Sequence, residues 1–343
     1  MRRVPFLLVL LVLVGGVGAA VALRSHHSSP PPRANPSHPS SSPTAAPSPS
    51  PSPRPVHRGA LLIHGTGDVS LDPSYVPNLR TYGYGYAFSG MNGLFDRDDL
   101  TVINMECPVS RAGSIVPKEF NFQCDPAAMP AAKAAGVDAA NQGNNHAYDY
   151  GPEALLDSRH NIEAAGIAAV GSGRDPEQAE QAAFFDVKGW RIAVVGIDEV
   201  LDPDPDEAAA PGHPGTACGH DVGCMVDEIR RAAARSDLVI VAVHWGVELD
   251  TQPESYQVDQ AEQFVDAGAD VIFGGHSHRL QPLAFVKGRP VFYSLGNFVW
   301  PNFSAAGSTT AVAQVVVSPK GRFEATLLPA RIVGAGHPVL MAA

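Results

Sequence analysis

The chain reads as an α/β protein on three observations. From about residue 60 onward, short apolar runs with strand character alternate with segments of helical periodicity. One of these runs, 238–243 (LVIVAV), is apolar throughout, as a central strand covered on both faces should be. Polar residues capable of chemistry gather just past the ends of several runs, where open α/β sheets carry their ligands. At 343 residues, 45% hydrophobic and 17% charged, the chain has ample material for one large core, and no internal repeat interrupts it.

The first part of the chain departs from this average. Residues 6–23 are an apolar run preceded by Arg2 and Arg3, the signature of an export signal. The run is about long enough to span a bilayer. Ala20-Val21-Ala22 resembles a cleavage site, whereas no helix breaker follows until Pro30, which favours a retained anchor. We therefore expect residues 1–24 to be a signal peptide or membrane anchor, with the rest of the chain on the extracytoplasmic face, or secreted if the signal is cleaved. No cysteine follows the run, which speaks against a lipidated anchor. Residues 25–58 are rich in proline and serine and lack acidic residues and apolar periodicity, the composition of a disordered linker. As polyproline II, such a spacer reaches up to about 100 Å at roughly 3.1 Å per residue.

Charge divides at the same boundary. Residues 1–58 hold six of the 24 basic residues and no acid, so the remainder carries 18 basic against 35 acidic side chains, a balance of −17. So acidic a domain repels nucleic acid and anionic lipid surfaces. Four cysteines (107, 124, 218 and 224) in an exported chain imply two disulfides. Of the three pairings, the sequence-local one, Cys107–Cys124 and Cys218–Cys224, is expected. The spacings fit no zinc knuckle.

The elements of the predicted domain, 59–335, follow in order, with 336–343 as a tail. Residues 60–66 form a strand ending at Gly67-Asp68, and 100–105 a second ending at Asn104-Met105-Glu106. The alanine-rich segment 126–136 is helical, closed by Gly136, and feeds a strand at 137–140. Next comes the turn NQGNNHAYDYG at 141–151, then a helix over 152–165 opened by Pro152. Residues 184–187 and 191–197 form a hairpin around Lys188-Gly189, and 225–235 a helix with Met225, Ile229 and Ala232 or Ala233 on one face. The strand 238–243 ends in His244-Trp245-Gly246. A helix over 256–267 leads to a strand at 270–273 and to Gly274-Gly275-His276-Ser277-His278. A strand at 291–295 ends in Gly296-Asn297, and 311–317 pairs with 323–328 around Pro319-Lys320-Gly321.

Taken together, Asp68, Glu106, Asn145, His146, His244, His276 and His278 each lie just after an apolar strand. One such histidine is ordinarily structural, and one such aspartate is ordinarily a turn residue. Seven on one sheet edge would be a mixed oxygen and nitrogen ligand set, suited to Mn, Fe or Zn rather than Ca²⁺. A carboxylate shared between two divalent ions about 3.5–4 Å apart lets such a pair bind and deprotonate water. The His276/His278 pair is the strongest single signal, because alternate residues can address two neighbouring ions.

From about residue 61 to 297 the sequence also resembles a known family. It is similar to the CapA/PgsA-type poly-γ-glutamate capsule biosynthesis proteins, a branch of the calcineurin-like metallophosphoesterases. The resemblance is carried by Gly67-Asp68, Asn104-Met105-Glu106, Asn144-Asn145-His146 with Asp149-Tyr150-Gly151, His244-Trp245-Gly246-Val247-Glu248, His276-Ser277-His278 with Leu280-Gln281-Pro282, and Tyr293-Ser294-Leu295-Gly296-Asn297-Phe298. It implies a metallophosphatase-like sandwich of two mixed β-sheets flanked by helices in a single domain. It further implies that Asp68 and His278 hold one metal, that Asn145, His244 and His276 hold a second, and that Glu106 bridges them. His146 becomes the general acid or an oxyanion stabiliser, oriented by Asp149.

Two departures qualify this. The superfamily's first motif is Asp-x-His, whereas here it is Asp68-Val69-Ser70, which leaves the first metal one histidine short. The bridging position holds Glu106 instead of Asp, one methylene longer. The expected protein is thus a membrane-anchored cell-surface component of capsule biosynthesis with a metallophosphoesterase-like site, working beside polymer synthase or export subunits. The alternative is a non-catalytic polymer-handling or assembly subunit that binds metal without turnover. Hydrolysis of exported nucleotides has no base-stacking signal behind it.

Overall fold

Two β-sheets lie face to face, and what decides their place is the pattern of apolar side chains on each strand. The computed structural model describes residues 57–200 and 207–342. The leader expected at 1–24 and nearly all of the linker expected at 25–58 fall outside these residues. Among the described residues, no helix is long and apolar enough to cross a membrane.

In chain order the strands are β1 (Leu61–Val69), β2 (Leu100–Met105), β3 (Ala139–Asn141), β4 (Ala168–Val170), β5 (Ser172–Gly173), β6 (Ala183–Val187), β7 (Trp190–Asp198) and β8 (Gly215–Thr216). There follow β9 (Leu238–Trp245), β10 (Val271–His276), β11 (Leu283–Val286), β12 (Arg289–Phe292), β13 (Asn297–Val299), β14 (Thr309–Val317), β15 (Phe323–Ile332) and β16 (Pro338–Leu340). The helices are α1 (Asn78–Tyr82), α2 (Tyr86–Ser89), α3 (Met129–Ala134), α4 (Gly151–Ala164), α5 (Pro176–Ala179), α6 (Val222–Ala233) and α7 (Ser255–Ala267).

The first sheet has the order β16-β15-β14-β1-β2-β3-β4, with β13 also paired to β1; the second is β11-β12-β10-β9-β7-β6. Both are mixed. In the first, β1 through β4 run parallel while β14, β15 and β16 add antiparallel strands. In the second, β7, β9, β10 and β12 are parallel, and β6 and β11 are antiparallel edges. Between the sheets lies one apolar layer, including Ile63 and Val102 from the first and Ile240, Val271 and Phe273 from the second. The outer faces are covered separately: α6 and α7 sit over the second sheet through Met225, Ile229, Ala261 and Phe264. Met129, Ala132 and Ile162, from α3 and α4, cover the first. The architecture is the predicted α/β sandwich of two mixed sheets flanked by helices.

Local chemistry fixes the helix ends. Asp221 caps α6 by accepting from the Cys224 N–H at 3.1 Å. Glu254 and Gln257 form a capping box at the start of α7, which ends on Gly268 in the left-handed conformation. The disulfides join Cys107 to Cys124 and Cys218 to Cys224, the sequence-local pairing.

Several boundaries differ from those expected. The 126–136 helix is a 3₁₀ turn over Pro126–Ala128 followed by the short α3, because Pro130 restarts the helix after that turn. The strand expected at 291–295 stops at Phe292, and the chain crosses to the other sheet, where β13 pairs with β1. Strands β1, β9 and β10 run two or three residues past their expected ends at 66, 243 and 273, so Asp68, His244 and His276 lie inside strands rather than after them. Past residue 335, β16 pairs with β15 and extends the first sheet.

Candidate metal centre

Because β1, β2 and β3 run parallel, as do β7, β9 and β10, their C-terminal ends share one edge of the sandwich. On that edge the predicted residues meet in two overlapping groups. Glu106, His244 and His276 offer ligand atoms all within 4.8 Å of one another, and Asp68, Glu106 and His278 do the same. Glu106 belongs to both groups. His276 Nδ1 lies 3.2 Å from His244 Nε2, which in turn lies 3.1 Å from Asn145 Oδ1 and 3.6 Å from Glu106 Oε1. On the other side, His278 Nδ1 is 3.1 Å from Asp68 Oδ2, and its Nε2 is 3.8 Å from Glu106 Oε1.

Backbone geometry makes this convergence workable. His276 and His278 both adopt positive φ, at 86° and 53°, a conformation bulky residues enter only when the surroundings enforce it. Gly275 admits the close approach of β10 to β1: a Cβ there would lie 2.6 Å from Asp68 Oδ1. Asn104 ties the elements together. Its Nδ2 donates to Asp68 Oδ1 at 2.8 Å and faces His244 Nδ1 at 3.0 Å, while its Oδ1 accepts from Asn141 at 3.1 Å.

The donor set fits cations. Glu106 is fully buried, and neither of its oxygens meets a hydrogen-bond donor. Burial, followed by the Asp68 carboxylate beside it, pushes its acid well above the usual carboxylate range. Burial, with His276 and His278 nearby, pushes the His244 imidazole well below the usual histidine range. Acceptors crowded together, one of them without a donor, form an arrangement that positive charge relieves. The third group of metal-ligand type, Glu180 with Cys218 and Cys224, has its cysteines joined in a disulfide.

His146 stands beside the centre with its Nδ1 2.9 Å from Asp149 Oδ2, as expected of an oriented imidazole. Asp149 is itself held by the Phe122 N–H at 2.6 Å and by an ion pair to Lys118 Nζ at 2.7 Å. Lys118 also donates to the Asn145 carbonyl oxygen at 2.5 Å, so one ammonium group links the His146 and Asn145 positions. Sequence reasoning assigned no role to Lys118 or Asn104. Asn104 belongs to the Asn104-Met105-Glu106 motif, but Lys118 sits in an irregular loop with no periodic signal. That loop, 108–124, is closed at its base by the Cys107–Cys124 bridge, which begins one residue after Glu106. Ser70, at the position of the missing histidine, has a buried hydroxyl without a partner. Asn297 lies beside Asp68 in the β1–β13 register and donates to the Gly307 carbonyl oxygen at 3.0 Å.

Next to the centre opens a cleft of about 400 Å³ whose lining includes Tyr75, Phe120, Phe122, Trp300 and Phe303 together with His146 and His278. These aromatic side chains come from distant segments, so no local sequence pattern announces them.

Known proteins resemble this chain along most of its length. It is 29% identical over 265 residues to the PGA biosynthesis protein CapA of Bacillus subtilis (strain 168), covering 76% of this chain and 69% of that protein. It is likewise 29% identical over 286 residues to the capsule biosynthesis protein CapA of Bacillus anthracis, covering 80% and 69%. A probable polyglutamine synthesis accessory protein of Mycobacterium tuberculosis (strain CDC 1551 / Oshkosh) is 28% identical over 213 residues, covering 59% and 55%. With residues 62–302 matched by the model of the bacterial capsule synthesis protein PGA_cap, the chain belongs to that family.

Proposed function

We propose that this protein serves poly-γ-glutamate capsule synthesis from the outer face of the cell membrane, beside the polymer synthase or export subunits, as a metal-dependent phosphoesterase. The observation that carries the reading is Glu106: a carboxylate buried without a donor and shared by both ligand groups. Asp68 and His278 would hold one divalent ion, Asn145, His244 and His276 a second, with Glu106 between them. The mixed donor set suits Mn, Fe or Zn. Bound there, such ions supply positive charge to phosphate oxygens and acidify water.

The chain's own residues do the rest. His146, its Nδ1 turned to Asp149, keeps Nε2 to deliver a proton to the departing ester oxygen. The carboxylate of Asp149 holds that ring in place, and Lys118 holds Asp149. Water adds to phosphorus, the ester P–O bond breaks, and the alcohol leaves with the proton from His146. The proton lost by the water restores His146.

A second reading rests on Ser70, which leaves the first group with three ligands. There the centre binds a metal or an anionic group without turnover. Elemental analysis and assay of an aryl phosphate monoester and diester with Mn²⁺ separate the two. Two ions per chain and hydrolysis lost in His146→Ala and Asn145→Ala are expected for the enzyme. No hydrolysis with any metal, the fold being intact, leaves the binding role.

A further inference from the structure

The cleft beside the centre has a chemical character that the metal ligands do not explain. Phe120, Leu249 and Phe303 line it yet are 55%, 58% and 75% exposed. They come from three separate loops, and apolar side chains gathered this way around a polar centre mark a binding surface. Leu249 is moreover held at φ 67°, with its N–H donating to the Ser277 carbonyl oxygen at 2.8 Å. A leucine in the left-handed conformation is strained, and such outliers persist where the surroundings over-determine them, often at ligand sites. Behind these three, the walls are Tyr75 and Phe122, tilted against each other, and Trp300, edge-on to both.

Charge narrows the occupant. Among the lining residues, Arg279 is the one lysine or arginine, and its Nη1 donates to the His278 carbonyl oxygen at 2.7 Å; the Glu248 carboxylate lines the same cleft. A γ-linked glutamate chain brings one carboxylate per unit and would meet a single arginine, a glutamate and aromatic walls. A nucleobase needs hydrogen-bonding partners for its edges, whereas the Asn297 amide already donates to the Gly307 carbonyl oxygen and the Ser304 hydroxyl already accepts from the Gly307 N–H. An uncharged chain asks for neither.

We infer that the cleft takes the apolar alcohol portion of a phosphate ester, an isoprenoid or alkyl chain, while its phosphate reaches the centre. The substrate class of the site is therefore a lipid phosphate and not the capsule polymer. This rests on the phosphoesterase reading above. On hydrolysis the products are inorganic phosphate and the free isoprenoid or alkyl alcohol.

The test uses the purified full chain with Mn²⁺ and four probes: farnesyl phosphate, glycerol phosphate, adenosine monophosphate and hexa-γ-glutamate. Binding is read by tryptophan fluorescence, Trp300 lying in the cleft, and turnover by phosphate release. Farnesyl phosphate should bind at least roughly tenfold more tightly than glycerol phosphate, with farnesol competing against it. Phe303→Ala and Phe120→Ala, at exposed positions, should each weaken farnesyl phosphate several-fold and leave glycerol phosphate unchanged. Equal loss for both esters, or tighter binding of hexa-γ-glutamate or the nucleotide, overturns the inference. If farnesyl phosphate binds through Phe303 but no ester is cleaved, the catalytic reading fails and the cleft assignment stands. If glycerol phosphate is cleaved and farnesyl phosphate gains nothing, the cleft assignment alone fails.

Discussion

The two ends of the sandwich treat the same residue types in opposite ways. At the N-terminal ends of the parallel strands, four aspartates stand just before β2, β3, β9 and β10. Each accepts a hydrogen bond from the second residue of the neighbouring strand: Asp99 from Leu62 N at 2.9 Å, Asp138 from Thr101 N at 3.1 Å, Asp237 from Arg191 N at 2.9 Å and Asp270 from Val239 N at 2.9 Å. The aspartate's own N–H returns a bond to the same residue's carbonyl in every case. A cation completes each: Lys188, Lys133, Arg58 and Arg289 respectively. At the C-terminal ends, Asp68 and Glu106 instead face each other and three imidazoles, and Glu106 has no donor at all. One edge is a set of satisfied clamps that holds strand register. The other is held in shape by the fold at a cost that cations would remove. Register clamps and the candidate metal centre occupy opposite ends of the same strands.

The largest expected effect lies at the frustrated end. His146→Ala should lower turnover of an aryl phosphate about 10²- to 10⁴-fold, because it removes a positioned proton donor. Metal content by elemental analysis should not change, since His146 belongs to neither ligand group. Lys118→Met comes next. With its ion pair to Asp149 and its bond to the Asn145 carbonyl gone, activity or metal affinity should fall roughly 10- to 100-fold. Lys118→Arg should recover part of that loss, which a role confined to packing would not predict.

Glu106→Gln and Asp138→Ala test the contrast directly, because they should move metal-free stability in opposite directions. In EDTA, Glu106→Gln removes a buried charge and gives the neighbouring acceptors an N–H, so denaturant unfolding should show a gain of about 1–3 kcal/mol. Ion binding should be lost in the same variant. The gain should also depend on pH. The folded chain holds the Glu106 proton more tightly than the unfolded chain, whose value is near 4.5. Stability from this group is therefore full below about 4.5 and falls as pH rises toward the elevated folded value, so the advantage of Glu106→Gln should grow over that rise. Asp138→Ala leaves the Thr101 N–H without its acceptor and should cost about 1–3 kcal/mol with ion binding intact. A destabilised Glu106→Gln would mean that the C-terminal edge is satisfied in some other way.

Much of this was legible in residue order, and what was not has physical causes. Apolar periodicity identifies β9, α6 and α7, because burial is what periodicity reports. It ends β1, β9 and β10 too early, because a hydrogen-bond ladder continues through polar residues as readily as through apolar ones. Strands of two or three residues such as β4, β5, β8 and β16 carry no period at all. The residues that meet in the candidate centre are legible because each follows an apolar run. Lys118, Phe120 and Phe303 were not, because irregular loops place them and only three-dimensional proximity relates them. The four aspartate clamps were in plain view, an acid before each of four apolar runs, but their reciprocal bonds appear only once the strands are paired.

The smallest expected effect separates charge from hydrogen bonding at the satisfied edge. Asp237 makes two contacts, the backbone bond from Arg191 and an ion pair with Arg58, and both members of that pair are about a third exposed. Exposed pairs contribute about 0–1 kcal/mol and weaken with salt. Asp237→Asn keeps an oxygen for the Arg191 N–H and gives up only the charge, so its cost should stay under about 1 kcal/mol and vanish in high salt. Asp237→Ala gives up both, and its cost should exceed that of Asn by roughly 0.5–1.5 kcal/mol, the net worth of one hydrogen bond, at any ionic strength. If the two substitutions cost the same, the clamp works through charge, and the N-terminal edge would owe its order to electrostatics after all. If they split as stated, backbone recognition by a short carboxylate is what sets strand register there. At the opposite end Asp68 accepts instead from the Asn104 amide and the His276 N–H, and Glu106 accepts from no donor.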